Sequence, residues 1–186
     1  TANASLLDES TAVVEAMMIA RRSADSQSDI FFADSDLFPQ TKQLLEHRAV
    51  PVGVTLKYFD AAKPEQLSEE CFGAVIQYPG ASGRIIEFEN LFAKVHEFGG
   101  LAIATADLMA LTLITPPGEK GADVVCGTTQ RFGVTMGFGG PHAEVNQAVD
   151  TDVGLCLRAK GDQTKRRQEG EFSSQNRFFH DATPVF

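Results

Sequence analysis

GADVVCGTTQRFGVTMGFGGPH, residues 121–142, decides the fold. It opens as a short apolar strand, Val124–Cys126, entered through Gly121-Ala122-Asp123. A polar run follows, Gly127-Thr128-Thr129-Gln130-Arg131, and then glycines at 133, 137, 139 and 140. Glycines this dense let a backbone take positive φ or approach another group closely. A strand that empties into such a loop is where α/β proteins place a ligand. The same pattern also serves a tight structural crossing with no ligand, and spacing alone leaves both readings open.

Upstream, short apolar strands alternate with helices. Ile30–Ala33, Val52–Phe59, Phe72–Gln77 and Leu101–Thr105 read as strands, and Gly121–Cys126 leads into a fifth. Residues 3–22 read as an amphipathic helix. Ser5 and Asp8 make a capping-box pattern, Leu6, Val13, Met17 and Ala20 share a face, and Arg21 and Arg22 close the last turn. A helix start can hold an anion, but the wide apolar stripe here predicts core packing. Pro39 suits a first helical position, with the helix running to about Ala49. Pro64–Glu70 reads as a short helix or turn. Phe88, Leu91, Phe92, Val95 and Phe98 form another helical stripe, stopped by Gly99-Gly100. Asp107 follows the fourth strand, at the end where site residues gather. Ser82 reads as a turn residue, because Gly-Ala-Ser-Gly lacks nucleophile-elbow spacing. The alternation predicts an α/β fold with a mostly parallel sheet flanked by helices.

The bulk numbers agree with one ordinary domain. The chain has 186 residues, 43% apolar and 22% charged. Its 16 Lys and Arg against 25 Asp and Glu leave a formal charge of −9. That sign argues against nucleic acid and anionic membrane as partners. No apolar run approaches the roughly 20 residues that span a bilayer. Cys71, Cys126 and Cys156 are odd in number and widely spaced, which suits reduced thiols. No pair among His47, His96, His142 and His180 has metal-ligand spacing, so no metal site is expected. The chain opens on Thr1 and shows no signal or transit peptide.

Several blocks, taken together and in order, resemble the P-protein of the glycine cleavage system. The central one is Gly121-Ala122-Asp123, Gly127, Gln130-Arg131-Phe132-Gly133-Val134, Gly137 and Gly139-Gly140-Pro141-His142-Ala143. Others are Asn3-Ala4-Ser5-Leu6-Leu7-Asp8-Glu9, Phe72-Gly73 with Gln77-Tyr78-Pro79, and Ala106-Asp107-Leu108 through Pro116-Pro117-Gly118-Glu119. Thr135 departs from the pattern, which has proline there. The resemblance covers about residues 2–143 and is to the N-terminal half of that family. It implies part of the large domain of a fold-type-I pyridoxal-phosphate (PLP) transferase, over 1–143. Residues 144–186 are expected to be a divergent or non-native, poorly ordered tail.

The resemblance also implies a function. The complete family enzyme is a PLP-dependent glycine decarboxylase, a glycine dehydrogenase that passes an aminomethyl group to the lipoyl arm of H-protein. A Schiff-base lysine is required. In the family's catalytic half it sits in the loop corresponding to Gln130–Gly140, and Gln130 stands about where that lysine would be. An amide forms no imine, so no catalytic residue and no bound PLP are expected in this chain alone. Gly133, Gly137, Gly139, Gly140 and His142 remain the candidates for a binding loop. Implied partners are the catalytic C-terminal half or subunit, H-protein through the complete enzyme, and further copies in an oligomer. With those neighbours absent, the stripes over Leu6–Ala20 and Phe88–Phe98 are expected to be exposed. The implied setting is the cytoplasm of a bacterium or the mitochondrial matrix of a eukaryote. Two other classes remain open: a stand-alone phosphate- or nucleotide-binding module, and a purely structural pseudo-subunit.

Overall fold

The computed structural model describes residues 4–133 and 144–146. Five strands form one sheet: β2 (Ile30–Asp34), β3 (Thr55–Phe59), β4 (Gly73–Tyr78), β5 (Leu101–Ala106) and β6 (Val124–Cys126). Their order is β3-β2-β4-β5-β6, and every neighbouring pair is parallel. The order in which the chain lays down its strands reverses at β2, with β3 to one side and β4 to the other. A separate antiparallel pair joins β1 (Ala4–Leu6) to β7 (Glu144–Asn146).

Both faces of β2, β4, β5 and β6 are covered, which explains why these strands are apolar rather than alternating, while the edge strand β3 is partly exposed. Helix α1 (Glu9–Ser23) and helix α2 (Pro39–Ala49) cover one face. There Ala12, Val13, Met17, Ala20 and Leu45 pack on Phe31, Val75, Ile103 and Val124. Helix α3 (Glu89–Glu97) covers the other, with Leu91, Phe92 and Val95 against Phe32, Ile76, Tyr78 and Ala104. The apolar stripes of α1 and α3 are therefore buried within this chain. The expectation that they lie exposed is corrected, because the sheet itself supplies the surface they need.

Local chemistry fixes the element ends. The start of α1 differs from the sequence expectation. Residues 4–6 pair as a strand, and Asp8, not Ser5, is the N-cap, accepting from Thr11 N at 2.8 Å. Pro39 occupies the first turn of α2 as expected. Strand β3 starts at Thr55 rather than Val52, because Val50–Val52 is a 3-10 turn that Gly53 closes at φ 68°. Helix α3 ends at Gly99, whose φ of 75° favours glycine.

Where the sheet reverses its march, a polar network closes the gap between β2 and β4. Asp36 accepts from Ser82 N at 3.0 Å, from Ser82 Oγ at 2.7 Å and from Arg84 Nε at 3.4 Å. Ser82 is thus a turn residue held by a carboxylate. Burial raises the Asp34 carboxyl above its ordinary range, although the backbone N–H groups of Asp36 and Ala61 donate to it.

Candidate functional site

The carboxyl ends of β4, β5 and β6 meet the first turn of α1, and the site is built there. On the α1 side, Gln77 of β4 lies in register with Thr105 of β5, and Thr105 with Cys126 of β6. Glu9, in the first turn of α1, reaches down to this row. Its Oε1 accepts from Thr105 Oγ1 at 2.7 Å and from Gln77 Nε2 at 3.3 Å. Gln77 Nε2 also donates to the Thr105 carbonyl at 3.4 Å. Gln77 and Thr105 are buried. Ser10 and Thr41 share a hydroxyl hydrogen bond of 3.1 Å that fastens α1 to α2.

Above this row lies a cavity of about 670 Å3. Asp8, Glu9 and Ser10 line it from α1, Gln40, Gln43, Leu44 and His47 from α2, and Thr128 and Gln130 from the loop after β6. The α2 residues sit at i, i+3, i+4 and i+7, one face of a helix. Thr128 Oγ1 accepts from Gln130 N at 3.2 Å and helps shape the loop. The side-chain nitrogen of Gln130 is buried and has no hydrogen-bond partner among the described residues. Among the described residues the lining therefore holds two carboxylates, three glutamine amides, two hydroxyls and an imidazole, and no lysine or arginine.

Two backbone positions in this loop need glycine for different reasons. A Cβ on Gly127 would stand 2.5 Å from the Ala106 carbonyl oxygen, so the loop passes hard against the end of β5. Gly133 has φ 89° and open space around it, so conformation and not a close neighbour sets its identity. It is exposed, beyond the 3-10 turn Gln130–Phe132, and does not line the cavity. Gly137, Gly139, Gly140 and His142 lie outside the described residues. Asp107 follows β5 as expected. It is already engaged: Arg131 Nη1 donates to its Oδ2, and Met109 N donates to Oδ1 at 3.0 Å.

These residues do not fit PLP. Its aldehyde needs a lysine, and the cavity offers the amide of Gln130 instead. Its phosphate needs donors, and the helix start that could give them carries Asp8 and Glu9. Asp107, the carboxylate after β5, does not line the cavity and is already bound to Arg131.

Of the predicted site residues, only Gln130 reaches the cavity among those described. Asp8, Glu9, Gln40, Gln43 and His47 were not anticipated as site residues. The Gln40, Gln43, Leu44, His47 spacing was the available signal for the α2 face.

Comparison with known proteins agrees with the geometry. The family described as "Glycine cleavage system P-protein" matches residues 1–152. A glycine dehydrogenase (decarboxylating) of Xylella fastidiosa is 54% identical over 142 residues, covering 76% of this chain and 14% of its own length. One from Stenotrophomonas maltophilia is 52% identical over 173 residues, covering 89% of this chain and 18% of its own length. The chain thus spans less than a fifth of these relatives. A crystal structure of glycine decarboxylase (P-protein) in inhibitor-bound form superposes with a TM-score of 0.69 at 26% identity, over 90% of this chain and 43% of that one. O-acetylhomoserine sulfhydrylase of Wolinella succinogenes shares the fold at a TM-score of 0.59 and 16% identity, over 78% of this chain and 41% of that one. A parallel five-stranded sheet of the fold-type-I kind, matched along most of its length by one family, places the chain in the glycine cleavage system P-protein family.

Proposed function

We propose that this chain is a supporting part of a PLP-dependent glycine decarboxylase, drawn from the family's N-terminal half. It lends sheet and surface to a lysine-bearing half and holds no cofactor itself. The observation that carries this is Gln130: a family member's loop reaches the cavity, but with an amide where an imine-forming amine is needed. The carboxylates of Asp8 and Glu9 support the same reading, since they repel a phosphate. They also weigh against a stand-alone phosphate- or nucleotide-binding module.

The exposed side chains support a partner. Leu7, Leu113 and Phe132 are largely exposed; Leu7 leads into α1, and Leu113 and Phe132 lie in the segments that follow β5 and β6. Most of a relative's length lies outside this chain. We infer that the lysine-bearing half covers this rim, and that H-protein meets the complete enzyme. The lysine-bearing half would hold PLP, which would supply the electron sink for decarboxylation there.

The test is reconstitution. This chain is assayed for release of labelled carbon dioxide from glycine, with lipoylated H-protein and PLP present. It is assayed alone, and then with the separately expressed lysine-bearing half of a close relative. No turnover alone and turnover with the added half are expected. Turnover by this chain alone, or no association with the added half, would overturn the reading.

A further inference from the structure

We propose that the outer edge of β3 is a docking surface for a second copy of this chain. The two β3 strands pair antiparallel across a two-fold axis, so that one sheet runs through both molecules. Strand β3 ends the strand order, and no described strand lies beyond it. Thr55 N donates to the Asp29 carbonyl at 2.8 Å, and the Phe59 carbonyl accepts from Ser35 N at 2.7 Å. The main-chain groups of 55, 57 and 59 therefore face β2. Leu56 and Tyr58 turn their N–H and C=O groups outward, which makes a template for another strand. Seven large apolar side chains are exposed among the described residues, and three of them, Val50, Val52 and Tyr58, fall in this strand or just before it.

Charge and register select a second copy as the occupant. Edges that stay unpaired are guarded by a charge, a proline or a bulge. Strand β3 holds no proline, and its one charge is answered within the chain: Lys57 Nζ stands 2.6 Å from Glu69 Oε1. The Tyr58 hydroxyl likewise donates to Glu46 at 2.8 Å. With one outward residue on each side of Lys57, the strand is its own complement. Setting Lys57 opposite Lys57 of the second copy sets Leu56 opposite Tyr58 twice. Each of those pairs exchanges both main-chain hydrogen bonds. On the α2 face this makes two aliphatic–aromatic cross-strand pairs. On the other face two lysines alone would repel, but each brings its own Glu69, and the charges alternate across the axis. A two-fold pairing closes with two copies. Strands β3 and β6 stand at opposite ends of the sheet, so this edge is separate from the Leu113 and Phe132 segments and does not rest on the reading of the lysine-bearing half.

The experiment uses the full chain. Sedimentation equilibrium from about 1 to about 200 µM is expected to show a monomer–dimer equilibrium. Amide hydrogen exchange is then compared at the two ends of that range. The Leu56 and Tyr58 amides should slow at the high concentration, while the Lys57 amide, which faces β2, should exchange alike at both. Glu69→Lys leaves only cations at the axis and should raise the dissociation constant about tenfold or more. The exchange of charges, Lys57→Glu with Glu69→Lys, restores the alternation and should return the constant to within about threefold of the parent. Lys57 and Glu69 lie on the surface, and circular dichroism checks that the variants fold. If Glu69→Lys does not fold, the exchanged pair and the amide pattern decide. A chain that stays monomeric at about 200 µM overturns the proposal. So does a dimer whose Leu56 and Tyr58 amides ignore concentration, which seats the contact elsewhere, or a Glu69→Lys chain that dimerises as tightly as the parent. Turnover plays no part in the readout, so failure here leaves the reconstitution result standing, and the reverse.

Discussion

Nε2 of His96 stands 2.6 Å from Oδ2 of Asp123, and the same oxygen accepts from the Ala102 backbone N–H at 2.7 Å. One buried carboxylate thus binds the last turns of α3 to the start of β5 and the entry to β6. Asp123 N also donates to the Ala102 carbonyl, at 2.8 Å. Replacing Asp123 by alanine leaves the Ala102 N–H buried without a partner. We expect a loss of about 2–3 kcal/mol in urea denaturation. Asp123→Asn should cost less, because its amide oxygen can still accept. Equal losses for the two variants would show that the carboxylate's geometry is not what matters.

Gly127→Ala tests the closeness of the loop to β5. The added Cβ would meet the Ala106 carbonyl oxygen at 2.5 Å, and that atom is backbone and cannot swing aside. The expected loss is about 1–3 kcal/mol, read as a lower unfolding midpoint. Gly133→Ala should also destabilise, through its positive φ, but by about 1 kcal/mol. A Gly127→Ala chain as stable as the parent would mean that the loop is held less tightly than its packing indicates.

A third expectation concerns pH. Burial tends to raise the Asp36 carboxyl, but the hydrogen bonds from Ser82 and the nearby Arg84 outweigh it and hold the group below its ordinary range. A depressed carboxyl stabilises the fold above its unfolded pKa of about 3.9, and that contribution fades as pH falls through the folded value. Ser82→Ala should therefore cost about 1 kcal/mol near pH 7. The gap from the parent should close as pH drops below about 4. Stability curves for the two chains from pH 7 to 2.5 would reveal it. A gap that widens toward acid would reverse the assigned sign.

The thiols offer a fourth. Burial pushes the Cys71 thiol up to about 11, and Cys126 is buried as well. Thiolate is the reactive form, so both should resist iodoacetamide at pH 8 while the chain is folded. Peptide mapping by mass spectrometry should find them labelled only after denaturation. Rapid native labelling of either would sink the idea.

A fifth concerns the anchor. Gln130→Lys supplies an amine but leaves Asp8 and Glu9 at the helix start and Asp107 bound to Arg131. Incubation with PLP and borohydride reduction should give no single stoichiometric pyridoxyl-lysine, because an anchor alone does not make a site. One fully labelled lysine at position 130 would contradict this.

Much of the fold was legible because its signals are local. Pro39 opens α2, Gly99 closes α3, and apolar runs bounded by turns mark β2, β4 and β5. The start of α1 was not legible. Ser5 and Asp8 imitate a capping box, but residues 4–6 take their conformation from β7, over a hundred positions along the chain. Here a distant strand overrides local propensity. The site was hidden for the same reason. Glu9 and Thr105 lie 96 positions apart in sequence, and no periodicity joins them. The apolar stripes of α1 and α3 were read correctly as stripes. What the sequence could not show was that the sheet in this chain suffices to cover them.

The β1–β7 pair has a mechanical consequence. Ala4 lies opposite Asn146, and Leu6 opposite Glu144. The outer ends of the two strands therefore sit side by side, with the parallel sheet strung between their inner ends. Tension applied at residues 4 and 146 loads the Ala4–Asn146 rung first and parts the ladder one rung at a time. The five-stranded sheet feels no pull until this clasp has opened. The two strands act as a mechanical fuse for everything between them.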